Sequence, residues 1–183
     1  MTIIVFVTYN GLVITRYYEK FSQSKLVVYH TKGHSAIDYF KGFEMKSLID
    51  QDMPDQMVKY HLTPNRIANQ VSFSSRDEAN TLNVVVVHDF KLISLDKSIL
   101  FVDHPIDKYI STKPITVDIV IVAKNSVNSL KKLTQLVSFD QLILDGSNQY
   151  KTIRSLKIEA EKLNLPFYST YDQGAITLDF YRK

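Results

Sequence analysis

The chain contains no cysteine and no tryptophan, and only five glycines. Without cysteine, a disulfide scaffold, a thiolate zinc site and a cysteine nucleophile are all excluded. The glycines stand apart, at 11, 33, 42, 146 and 174, so there is no glycine-rich phosphate loop. An excess of one charge is also missing. Lys plus Arg number 22 against 19 Asp plus Glu, and a net charge of +3 is too small to predict nucleic-acid binding by bulk attraction. The five histidines, His30, His34, His61, His88 and His104, form no HxH or HExxH pair. What is abundant suits β-rich packing: 11 tyrosines and 10 phenylalanines in a chain of single-domain length.

Residues 1–15, MTIIVFVTYNGLVIT, carry no charge, and Arg16 and Lys20 follow with Tyr17 and Tyr18 between them. As a helix this run is roughly 22 Å long, short of the roughly 20 residues that cross a bilayer. It lacks the charged start and small-residue cleavage site of a signal peptide. Three readings stay open: the end of a transmembrane helix with an aromatic and basic border, a buried strand, or a core helix.

From Lys25 the pattern is strand-rich. Lys25–His30, Ala36–Phe40 and Phe43–Asp50 read as strands, with Lys41-Gly42 as a hairpin signal. Residues 51–81 read as a long connection with one helical turn. Asn83–His88 reads as a buried strand, and Phe90–Leu95 with Ile99–Val102 as a hairpin turned by Asp96-Lys97. After Pro114 come a strand at Val117–Ala123, a helix near 128–138, a strand at Gln141–Leu144 and a helix near 149–164. Strands at 166–169 and 175–180 close the chain. A β-rich half followed by alternating strands and helices predicts an α/β (α+β) domain of two sheets edged by helices. The strands at 117–123 and 142–144 are expected as neighbours joined by a helix.

The residues alone offer little chemistry. His88-Asp89 with Asp103-His104 is the best metal-like cluster, but adjacent strand residues face opposite ways and each pair supplies one ligand. Ser35 follows His34 without a GxSxG elbow. Asp145-Gly-Ser-Asn148 reads as a cap for the next helix through Ser147 or Asn148, or as a ligand-binding loop. Lys131, Lys132, Lys151 and Arg154 could meet phosphates, although solvated helix faces look the same.

Several runs taken in order resemble a known family. They are KLVVYHTKGHSAIDYFK at 25–41 followed by Leu48-Ile-Asp50, SILFVDH at 98–104, VDIVIVAKNSV at 117–127, DQLILDGSNQYKT at 140–152 and LPFYSTYDQGAITLDFY at 165–181. Together they resemble the metallo-β-lactamase-like domain at the C-terminus of ComEC, the competence DNA channel, in the branch found in Bacteroidetes. The last run is similar to that family's closing hairpin. The resemblance implies an αββα sandwich at 21–183, with 1–20 as the end of a transmembrane helix or a linker.

The departures are as informative as the matches. No HxHxDH loop follows the LID strand, and only His61 lies between 51 and 80. Lys124 and Asn125 stand where the resemblance puts two ligand histidines, and Thr152 where it puts a third; Asp103 alone matches the bridging acid. One carboxylate cannot hold two zinc ions. The resemblance therefore implies a pseudoenzyme without metal or other cofactor, on the soluble, periplasmic side of a bacterial inner-membrane protein. Its partners would be the channel part of the same full-length protein and, weakly, single-stranded DNA contacted by Lys124, Lys151 and Arg154. A metal-dependent nuclease and a docking domain without DNA contact are the alternatives.

Overall fold

The computed structural model describes residues 2–71, 82–87, 89–110 and 113–180. A long helix α1 (Thr2–Ser22) leads into β1 (Ser24–Val28), β2 (Ala36–Lys41) and β3 (Glu44–Ile49). A continuous helical segment follows, made of α2 (Asp55–Met57), a π-helical stretch (Val58–Leu62) and α3 (Thr63–Ala68). Then come β4 (Val84–Val87), β5 (Phe90–Ser94), β6 (Ser98–Val102), β7 (Ile115–Thr116), β8 (Ile119–Val122), α4 (Leu130–Leu136), β9 (Val137–Ser138) and β10 (Gln141–Leu144). The chain ends with α5 (Tyr150–Lys162), β11 (Phe167–Ser169), α6 (Thr170–Gln173) and β12 (Ile176–Asp179).

Two large sheets carry the fold. One is antiparallel, in the order β12-β1-β2-β3; the other is mixed, in the order β11-β10-β8-β6-β5-β4. Strand alternation sorts their side chains into layers. Leu26, Val28 and Ile37 meet Ile99, Phe101, Ile119, Ile121 and Ile143 between the sheets. On the far side of the mixed sheet, Leu100, Val102, Val120, Val122, Leu142 and Leu144 bury Leu133, Ile153 and Leu156 of α4 and α5. On the far side of the antiparallel sheet, Val27 and Phe40 pack with Met53, Leu62 and Val71. The result is helix, sheet, sheet, helix. Strands covered on both faces read as unbroken apolar runs, as β8 does.

The central expectation holds: β8 and β10 are parallel neighbours, Ile119 opposite Gln141 through Val122 opposite Leu144, with α4 between them in sequence. The Lys41-Gly42 turn is present, with Gly42 at φ +58°, and β5 and β6 form the expected hairpin. Four expectations change. Residues 55–68 are helical rather than a connection with one turn. Pro64 stands at the start of α3, directly after the π-helical stretch, and Arg66 anchors the segment. Arg66 Nε and a terminal nitrogen each donate to the buried Asp38 carboxylate at 2.8 Å. Residues 72–81 of that connection lie outside the described residues.

Among the described residues the valine run 84–87 is an edge strand, not a buried one: it pairs with β5 alone, and Val85 and Val86 are about 60% exposed (59% and 61%). His88, at its end, lies outside the described residues. The last two strands are not a hairpin. β11 pairs parallel to β10 in the mixed sheet, whereas β12 pairs antiparallel to β1 in the other, and Gly174 at φ +81° turns the chain between the sheets. Finally, α1 is neither a buried strand nor a core helix. Its apolar side chains, from Ile3 to Phe21, are exposed, and among the described residues its end meets the domain, through Tyr17 on Phe43 and Lys20 on Asn69. Among the described residues no helix is long and apolar enough to cross a membrane.

Candidate functional site

Ligands of open α/β sheets gather beyond the carboxyl ends of parallel strands. Here that rim collects Asp103 after β6, Lys124 and Asn125 after β8, Asp145–Asn148 after β10 and Thr170 after β11. The antiparallel sheet adds His30 and His34 after β1 and Asp50 after β3. Backbone bonds close the rim: Ala123 N–H donates to Val102, Asp145 N–H to Val122, and Gly33 N–H to Gly146. Gly146 has no room for a side chain. A Cβ there would lie 2.8 Å from the Thr31 carbonyl oxygen and 2.9 Å from its nitrogen. A void of about 300 Å³ lies at the other end of the strands among Tyr39, Lys41, Lys46 and Asp96, away from Asp103, Lys124, Asn125 and Thr152.

Asp145 is a fully buried carboxyl on the rim. Its carboxylate accepts from the Ser35 hydroxyl, from the Ser147 hydroxyl at 2.5 Å and N–H at 3.0 Å, and from Asn148 Nδ2 at 3.2 Å. Burial pushes this carboxyl up to about 6, against the opposing pull of the Ser147 and Ser35 donors.

Ser147 and Asn148 do not cap α5, contrary to the sequence expectation. The cap position is Gln149, without a side-chain bond. Instead the Lys124 N–H donates to Ser147 Oγ at 2.8 Å and the Asn125 N–H to Asn148 Oδ1 at 2.9 Å. Those bonds hold two consecutive residues in the left-handed region, Lys124 at φ +53° and Asn125 at φ +56°, a conformation that costs free energy for residues with a side chain. Asn125 Oδ1 returns a bond by accepting from the Gln149 N–H at 2.8 Å.

The exposed Lys124 side chain reaches across the rim, its ammonium 2.7 Å from Asp50 Oδ1, and Asp50 also accepts from the Ser35 N–H at 2.8 Å. Burial alone would lower this lysine, but the hydrogen bond and charge of Asp50, with Asp103 and Asp52 behind it, raise it above its ordinary value. Asp103 is buried and paired with the Lys91 ammonium and with His104 Nδ1 at 2.9 Å. Asp89, expected beside it, instead pairs with Lys108 at 2.5 Å and accepts from the Tyr109 hydroxyl. His30, behind the rim, has its ring pushed down by burial and by nearby His61; among the described residues its Nδ1 has no hydrogen-bond partner.

Of the expected site residues, Asp103, Lys124 and Asn125 come together on this rim. Thr152 is half-buried in the first turn of α5, and Lys151 and Arg154 stand exposed on that helix. Sequence reading missed Asp50, Asp145, Ser35 and His34 as a set, because Asp145 comes from a distant strand, 110 positions from Ser35; the only hint was polar residues at the ends of apolar runs.

A dinuclear zinc centre does not fit these residues. The described group with metal-ligand reach is His34, Asp50 and Asp52, whose donor atoms lie within 4.8 Å of one another. Within it, Asp50 is already neutralised by Lys124, and the remaining family acid, Asp103, by Lys91. Comparison with known proteins returned one family profile, described as the ComEC C-terminal domain, over residues 26–180. No curated protein and no solved structure matches the chain.

Proposed function

The chain belongs to the ComEC C-terminal domain family, a domain of competence DNA-uptake proteins, and from that premise we propose that it is a non-catalytic module that guides single-stranded DNA beside the uptake channel. The observation that carries the reading is the Lys124–Asp50 pair. The Lys124 ammonium sits on Asp50, so that carboxylate is balanced without a metal ion, and among the described residues the group with metal-ligand reach, His34, Asp50 and Asp52, has one of its three ligands taken by the lysine. Thr152 and Asn125, uncharged at the other two family positions, point the same way.

In this reading the protein is anchored in the bacterial inner membrane and the domain works on the periplasmic side. The channel part of the same protein is its partner, and the exposed apolar side chains of α1 meet lipid or that channel. DNA contact falls to Lys151 and Arg154, with Lys124 contributing only as far as its pair with Asp50 opens.

The test uses protein purified without chelator. We expect no stoichiometric zinc or manganese by metal analysis, no cleavage of labelled DNA when either ion is added, and weak, salt-sensitive binding of a single strand. Stoichiometric metal together with ion-dependent cleavage would establish the nuclease instead.

A further inference from the structure

On the outer side of the rim, two tyrosines twenty-one positions apart in sequence come together. The ring centroids of Tyr150 at the start of α5 and Tyr171 in α6 are 5.4 Å apart, tilted by 44°. His30 meets the Tyr171 ring edge-on at 5.9 Å. Large aromatic rings are usually covered, yet Tyr150 is 57% exposed and Tyr171 46%. Arg154 lies one turn beyond Tyr150 on the same face of α5, and Lys151 is adjacent.

Among the described residues some cations of the domain sit in ion pairs with carboxylates and others do not. Lys91, Lys108, Lys124, Lys132 and Lys157 are each paired with an aspartate. Among the described residues, Lys151 and Arg154 form no salt bridge. The nearest paired group, Lys157 with Asp172 at 2.8 Å, is internally neutral. The patch is therefore two half-open π faces beside two free cations.

We propose that Tyr150 and Tyr171 are a stacking platform for the bases of a single-stranded nucleic acid whose phosphates run past Lys151 and Arg154. Two cations alone hold a phosphate chain poorly at physiological salt, whereas each stacked base adds an attraction that salt does not screen and that any base can supply. A duplex keeps its bases stacked inside and has none to offer. The proposal rests on the DNA-guiding reading above and names its contact, which a phosphate-only mode lacks.

The experiment measures binding of a labelled oligothymidine and of a matched duplex to the full chain by fluorescence anisotropy. Variants are Tyr150→Ala, Tyr171→Ala, the corresponding Phe variants, and a Lys151→Glu/Arg154→Glu double variant. Both tyrosines are surface residues, and circular dichroism checks that each variant is folded. We expect each Ala variant to weaken single-strand binding on the order of tenfold with the salt slope unchanged, each Phe variant to restore it, and the duplex to bind worse. The charge variant should lower the salt slope. Because the chain has no tryptophan, quenching of tyrosine emission by the strand gives a second readout. Wild-type binding that the Ala variants leave intact, or equal binding of duplex and single strand, overturns the platform while the DNA-guiding reading stands. No binding of either by the wild type overturns both.

Discussion

Asp145 shows what one buried residue contributes. Its carboxyl titrates near 6 in the folded chain against 3.8 for the ordinary group. A carboxyl raised by folding binds its proton more tightly in the native state, so it costs stability above the folded value and the cost disappears as pH falls toward the unfolded one. The shift of about two units corresponds to roughly 3 kcal/mol. Asp145→Asn, neutral throughout, lacks this dependence. Urea unfolding at pH about 7 and about 4.5 should show the wild type gaining about 1–3 kcal/mol on the variant as the pH drops; a gap that stays constant would mean that the carboxyl is not perturbed. Lys124 and Asn125 make the complementary point: their left-handed backbone is held by neighbours from another loop, and while asparagine tolerates that conformation, lysine has no local preference for it.

At the scale of elements, α4 depends on α5 for its start. Ser129 occupies the α4 cap position but its side chain does not cap. The carboxylate of Glu159, on α5, accepts from Ser129 Oγ at 2.8 Å and from the Leu130 and Lys131 N–H groups at 2.9 Å. Burial would raise this carboxyl, yet these amides and the hydroxyl bring it below its ordinary value, so its stabilisation is present above the ordinary glutamate value and fades as pH falls below it. Glu159→Ala should cost about 1–2 kcal/mol, with Glu159→Gln, which keeps one acceptor oxygen, in between. Thermal unfolding at neutral pH decides this, and an unchanged melting temperature in the Ala variant would show that solvent replaces the cap. The edge strand β4 shows the limit of composition at this scale, since four valines read alike whether the sheet continues past them or stops.

For the whole molecule, the two sheets and their helical layers form one body, and α1 stands outside it. Its end is tied down by Tyr17, Lys20 and the Gly42 turn, while the rest of its apolar surface is open. Exposed apolar area of that extent adds nothing to the stability of the fold in water and favours association. Deleting residues 2–22 should therefore leave the melting temperature within a few degrees and improve solubility. A loss of ten degrees or more would make α1 a structural element of the domain. Equally, the buried Asp38–Arg66 pair, bidentate and closed from solvent, shows how the 55–68 helical layer is locked to its sheet by polar as well as apolar contacts.

The sequence by itself determined the sheet-forming runs and the β8–α4–β10 order, because period-two and period-3.6 patterns are local records of which faces are covered, and it pointed to the family through short runs of residue identity that resemble it. The resemblance also set the expectation that Lys124, Asn125 and Thr152 stand where ligand histidines would be, since that is a matter of residue identity alone. It could not show that 55–68 is helical, because what stabilises that segment is a salt bridge to Asp38 and packing on another sheet rather than its own propensity. Nor could it show that 84–87 lies at an edge or that the last two strands part company, since strand neighbours are chosen by hydrogen bonds between distant segments. The rim was the least legible part. Lys124 meets Asp50, Ser35 meets Asp145 and Tyr150 meets Tyr171 only after both sheets have formed, because proximity across a fold depends on the path of the chain and not on spacing along it.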